Sequence, residues 1–111
     1  MDMNPTVTTS TGNETASIVQ LLNLYREEIL RLAADHGARN VRLFGSVVRG
    51  QATADSDLDM LVDFEAGHSL LDRIALMQDL EDLLGIEVDV VTGRSVHRDL
   101  RAEILRSAQP L

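Results

Sequence analysis

GSVVRGQATADSDLDMLVDF, residues 45–64, is the stretch on which the reading of the fold turns. Its second half is apolar and β-compatible and predicts a strand over 58–64. Successive side chains of a strand point to opposite faces. Leu58, Met60 and Val62 therefore share one face, and Asp57 and Asp59 the other. Two carboxylates about 7 Å apart on one strand face repel unless a cation lies between them. Mg²⁺ suits such a pair, because it takes a few carboxylates, several waters and substrate phosphate oxygens.

Upstream, VRLF (41–44) predicts a strand over 40–44 that ends at Gly45. Glycine lets the backbone turn sharply and approach a ligand closely. Ser46 offers a hydroxyl and the start of a short helix over Val47–Gln51, and free N–H groups at a helix start attract phosphate. Arg49 adds positive charge beside that anion site, and Gly50 ends the short helix. Downstream, IEVDVVT predicts a further strand over 86–91 with Glu87, Asp89 and Val91 on one face. Asp89 is a carboxylate in an apolar strand, which calls for a partner or a metal. As a third carboxylate it could bridge to a second ion roughly 4 Å from the first. The set reads as metal-assisted phosphoryl or nucleotidyl transfer.

An EF-hand is excluded. Asp55, Asp57, Asp59 and Asp63 alternate as in such a loop, but its sixth position needs Gly and its twelfth Glu. Met60 and Ala66 stand there.

The pattern GS-x10-D-x-D with a later strand Asp resembles the nucleotidyltransferase superfamily of DNA polymerase β type. RLFGSVVRG, SDLDMLVDF, VDVVT and the closing LRAEILRSAQPL resemble its minimal nucleotidyltransferases, over roughly residues 17–111. Many of that branch are antitoxins paired with HEPN-domain toxins. The resemblance implies that Gly45 and Ser46 contact the nucleotide triphosphate, with Arg49 nearby. It makes Asp57 and Asp59 ligands of catalytic Mg²⁺, and Asp89 the third ligand and candidate base. It further implies transfer of AMP from ATP to a hydroxyl, with a tyrosine of a cognate HEPN toxin as acceptor. Two alternatives stay open: neutralisation by binding alone, and nucleotidyl transfer to a small molecule.

The remaining sequence sets the frame. A chain of 111 residues with 44% apolar content supports one domain with a modest core. There is no cysteine, hence no disulfide framework or thiolate metal site. No apolar run approaches membrane-spanning length and no signal peptide is visible, so a soluble cytoplasmic protein is expected. The net charge of −8, with no lysine, disfavours non-specific nucleic-acid binding and suits a basic protein partner in a hetero-oligomer.

Residues 1–14 are rich in Thr, Ser and Asn and predict a disordered leader before a domain over 15–111. Ile18, Leu21, Leu22, Tyr25, Ile29, Leu32 and Ala33 predict one helix from about Ala16 to His36, closed by Gly37. Ser69 and Asp72 form a capping-box pattern that opens a helix over 70–84. Its apolar residues Leu70, Leu71, Ile74, Leu76, Met77, Leu80, Leu83 and Leu84 exceed one stripe, and the surplus packs on the first helix or faces a partner. A last helix is expected over 97–107, and Leu100, Ile104, Leu105 and Leu111 pack on the fold or, as a short tail, rest on a partner. His36, His68 and His97 show no metal-binding spacing. The expected fold is α/β (α+β), a small mixed sheet flanked by helices, with Asp57, Asp59 and Asp89 at one end.

Overall fold

A computed structural model describes residues 13–52 and 57–111, with side chains from residue 17 onward. The expected leader falls almost wholly outside these residues; its last two, Asn13 and Glu14, already belong to the first helix. Four helices and four strands follow in the order α1 (Asn13–Leu24), α2 (Arg26–Asp35), β1 (Ala38–Phe44), β2 (Leu58–Phe64), α3 (Leu70–Leu84), β3 (Val88–Val91), α4 (Arg98–Ser107) and β4 (Gln109–Pro110). The sheet is mixed, in the order β3-β2-β1-β4. β1 runs antiparallel to β2 and to β4, and β2 runs parallel to β3.

Alternation sorts the sheet into two faces. Leu58, Met60 and Val62 of β2 are buried beside Val88 and Val90 of β3, and Leu43 opposes Met60 from β1. Against this face pack Leu22 of α1, Ile29 and Ala33 of α2, and Leu76, Leu80 and Leu84 of α3. The i, i+4, i+8 spacing of the α3 leucines puts them on one stripe. Asp59, Leu61 and Asp63 of β2 face the other way. A bulge at Asn40, whose φ is +54°, lets both Ala38 and Val41 reach the core although they stand three positions apart. Asn40 is held there by donating from Nδ2 to Asp63 Oδ2 at 2.9 Å.

Local signals account for the helix ends. Ser69 accepts from the Leu71 N–H at 3.2 Å, and its own N–H donates to Asp72 Oδ2 at 2.8 Å. The Ser69 amide bond is also the largest cause holding the Asp72 carboxyl below its ordinary value. At the end of α2, Gly37 has φ +77°, and a Cβ there would collide with the His68 ring. That ring stacks on Phe64, centroids 6.3 Å apart. Only glycine lets the α2–β1 corner accept both the positive φ and the imidazole.

Three expectations need correction. The predicted single first helix has an irregularity at Tyr25, with φ −104° and ψ 13°, which divides α1 from α2. Helical hydrogen bonds nevertheless continue across it, from Tyr25 N to Leu21 O and from Ile29 N to Tyr25 O. The C-terminal tail is not left for a partner. It forms β4 on the edge of β1, where Leu111 N donates to Val41 O at 3.0 Å and Arg26 Nε donates to Leu111 O at 3.0 Å. Finally, the surplus apolar side chains of α3 do not pack on α1: Leu70, Leu71 and Ile74 are exposed.

Candidate functional site

The edge-to-edge order of the sheet builds the site. Phe44, the last residue of β1, opposes Asp59, and Asp59 opposes Asp89 on β3. Paired residues of adjacent strands project to the same face, so Asp59 and Asp89 stand side by side on the face turned away from the core. Asp57 is exposed and lies immediately before β2, two residues from Asp59. Asp57 and Asp89 thus both lie near enough to Asp59, at the start of the parallel pair, to act on its charge. Val90 and Met60, one step along each strand, are buried and fix the orientation by anchoring the opposite face.

The turn after β1 runs against this group. Gly45 has φ +79°, and a Cβ on it would strike the Oδ2 atom of Asp59. The main chain can approach the carboxylate this closely only without a side chain. The turn itself is tighter than the expected helix over Val47–Gln51. It is a single 3-10 turn, Gly45–Val47, in which Gly45 O accepts from both Val48 N and Arg49 N at 3.2 Å. Val47 is drawn into the core and Gly50 takes φ +72°, so the chain leaves the helical path at once. Ser46 does not cap this turn; the residue at its start is Phe44, with no side-chain bond to it.

Charge sets the electrostatics. The Asp59 carboxyl is pushed up from 3.8 to about 6, first by burial and then by the negative charges of Asp89 and Asp57, while Arg49 pulls it down. Asp59 thus feels all three of the other charged residues singled out in the sequence. The Arg49 guanidinium donates from Nε to Gln51 Oε1 at 3.1 Å. Gln51 in turn donates its backbone N–H to Ser46 O at 2.8 Å. Sequence reasoning passed over Gln51, because a polar residue in a polar loop carries no signal until its partners are known.

Among the described residues, no three His, Cys, Asp or Glu side chains close to metal-holding distance. The chemistry of the donors still fits a hard divalent cation. Three carboxylates project to one solvent-facing strand end, and their repulsion raises one of them in the way a bound cation would relieve. The histidines serve elsewhere: His36 bonds Asp79 at 2.6 Å between α2 and α3, His68 lies 3.4 Å from Asp72, and His97 accepts from Asp99 N at the start of α4. Among the described residues, no helix is long and apolar enough to cross a membrane.

Comparison with known proteins agrees with this arrangement. The family model described as polymerase beta, nucleotidyltransferase matches residues 27–111. The protein adenylyltransferase MntA of Thermococcus cleftensis is 43% identical over 89 residues, 80% of this chain and 87% of that protein. A proposed protein adenylyltransferase of Methanocaldococcus jannaschii is 40% identical over 87 residues, covering 78% of this chain and 94% of its own. Among solved structures, one proposed to be a minimal nucleotidyltransferase is 52% identical, with a TM-score of 0.76 over 84% of this chain and 95% of that one. A toxin–antitoxin complex solved with AMP-PNP is 27% identical, with a TM-score of 0.65 over 76% of this chain and 69% of that one. The sheet order, the glycine turn against Asp59 and these matches together place the chain in the polymerase beta nucleotidyltransferase family, as an enzyme of the minimal nucleotidyltransferase type.

Proposed function

We propose that this nucleotidyltransferase is an antitoxin that moves AMP from ATP, with Mg²⁺, onto a tyrosine hydroxyl of a cognate HEPN-domain toxin. The catalytic unit is residues 15–111. The observation that carries the reading is that Gly45, in the turn after β1, lies against Asp59 of β2, which is paired with Asp89 of β3, with Arg49 acting on the same carboxylate. The adenylyltransferase relatives and the toxin–antitoxin structures support the acceptor being a protein.

Asp57, Asp59 and Asp89 would hold the cation. Bound there, Mg²⁺ supplies neutralisation of charge on the α-phosphate and a lowered pKa for the attacking hydroxyl. Gly45 lets the triphosphate lie against the main chain beside the carboxylates, and the Ser46 hydroxyl donates to a phosphate oxygen. Arg49, steadied by Gln51, adds a fixed positive charge on the triphosphate side. The tyrosine oxygen attacks the α-phosphorus, Asp89 accepts its proton, and the bond to the bridging oxygen breaks to release pyrophosphate.

The test is intact mass spectrometry of the purified toxin after incubation with this protein, ATP and MgCl₂. The expected result is a gain of one or more adenylyl groups, absent with Asp57→Asn/Asp59→Asn. A toxin that is neutralised yet unmodified would instead establish neutralisation by binding alone.

A further inference from the structure

One cavity among the described residues lies away from the carboxylates. It is a groove of about 760 Å³ at the far end of the same two strands, bounded by the β2–α3 loop, the start of α3, the β3–α4 loop and α4. Asp63 lines it, on the same sheet face as Asp59 and four residues further along β2. By a strand rise of about 3.3 Å, the groove begins roughly 13 Å from the catalytic carboxylates.

Its chemistry is unlike the chain as a whole. The segment from Thr92 to Ser107 carries four arginines against Asp99 and Glu103, a charge of +2 within a chain of −8. Two of those arginines, Arg94 and Arg101, line the groove, and neither has a hydrogen bond or ion pair among the described residues. Arg73 lines it too, but donates to Val90 O at 2.9 Å and is committed to the fold. Of the two acids in the groove, Asp63 is held by Arg42 at 3.2 Å and by Asn40. Glu65 is the remaining one. Leu70 forms the apolar edge at 59% exposure, and Ile74, one turn along α3, continues that edge.

Free guanidinium groups beside the exposed Leu70 and Ile74 suit a protein segment that pairs carboxylates with apolar side chains. Single-stranded RNA fits less well, since it wants stacking aromatics beside the cations, and the aromatic here, Phe64, is already stacked on His68. The enzyme must also hold a macromolecular acceptor that its own small core cannot enclose. We propose that this groove is the docking site of the acceptor protein, which Arg94, Arg101 and Leu70 grip by an acidic, apolar segment while its target hydroxyl reaches the carboxylates along the same sheet face. The inference rests on the protein-acceptor reading of the function and identifies the surface that selects the acceptor.

The experiment measures adenylyl transfer to the purified cognate HEPN-domain toxin of the proposed function. Wild type is compared with Arg94→Glu/Arg101→Glu and with Leu70→Glu, three exposed positions. The expected result is a KM for toxin raised about ten-fold or more in the double variant, with kcat at saturating toxin and Mg-ATP affinity within about two-fold of wild type. Leu70→Glu raises the same KM, and the salt dependence of the wild-type KM is lost in the arginine variant. An unchanged KM in both variants overturns the docking site alone. So does a fall in kcat without a change in KM. Tight binding of a single-stranded RNA oligonucleotide, lost in the arginine variant while toxin transfer persists, overturns it in favour of a nucleic-acid site. A wild type that neither binds nor modifies the toxin overturns the proposed function, and the docking site with it.

Discussion

Replacing Asp59 by asparagine should make the metal-free protein more stable while leaving it inactive. In the fold, the Asp59 carboxyl is pushed up from 3.8 to about 6 by burial and by Asp89 and Asp57. At about 1.36 kcal/mol per pH unit, ionising it there costs about 3 kcal/mol more than in the unfolded chain. Asp59 remains partly exposed, and solvent screening reduces the figure to about 1–2 kcal/mol. The sign follows from proton binding. Between roughly pH 4 and 6 the folded chain holds a proton that the unfolded chain has lost, so this group's contribution falls as pH rises through that window and is constant above it. Asparagine cannot ionise and escapes the loss. Thermal unfolding in EDTA at pH 8 should therefore place Asp59→Asn about 4–8 °C above wild type, and at pH 4 the two should coincide. Added Mg²⁺ should raise wild type and not the variant, as a ligand of the folded state does. Equal melting temperatures at pH 8 would refute the repulsion argument. A gain that persists undiminished at pH 4 would show that it comes from something other than charge.

Other expectations follow from single residues. Gly45→Val adds a side chain at φ +79° against Asp59 Oδ2, so it should cost about 1–3 kcal/mol in urea unfolding and weaken Mg-ATP binding measured by calorimetry; wild-type affinity would sink the close-approach reading. Ser69→Ala removes the cap of α3 and should cost about 1 kcal/mol, read as a lower urea midpoint at unchanged slope. His36→Ala breaks the 2.6 Å contact to Asp79 that ties α2 to α3, and a double-mutant cycle with Asp79→Ala should return a coupling of about 0.5–1 kcal/mol; additive effects would show that the pair contributes nothing.

How much of this was legible depends on whether the information is local. The faces of β2 can be read directly from LDMLVDF, because alternation is a property of four or five consecutive residues. The cap at Ser69 and Asp72 and the turn at Gly37 are equally local, and all are found where expected. The carboxylates at 57, 59 and 89 could be grouped from their spacing, since adjacent strands bring them to one end. What stayed hidden depends on pairing. Gln109 and Pro110 carry no strand signal; they are a strand because β1 offers them an edge. The bulge at Asn40 needs Asp63, twenty-three residues away. The 3-10 turn at Gly45 is shorter than its sequence suggests, because Val47 is pulled inward by the core. Apolar count alone could not say which α3 leucines would stay outside. That is decided by where the sheet ends, not by the helix.

The free margin of β3 is covered in an unusual way. Val88 and Val90 point their backbone groups away from β2. Glu81 Oε2 accepts from Val88 N at 3.0 Å, and Arg73 Nη1 donates to Val90 O, both from α3. At the opposite margin, β4 is two residues long and includes Pro110, which has no N–H to offer. The sheet therefore offers little main chain for another strand to join at either side. Among the described residues, the two margins thus favour recognition through side chains over β-augmentation, in which a partner lengthens the sheet with its own backbone. Partner choice can then change by substituting a few surface residues, without disturbing the hydrogen-bond ladder that keeps Asp59 beside Asp89.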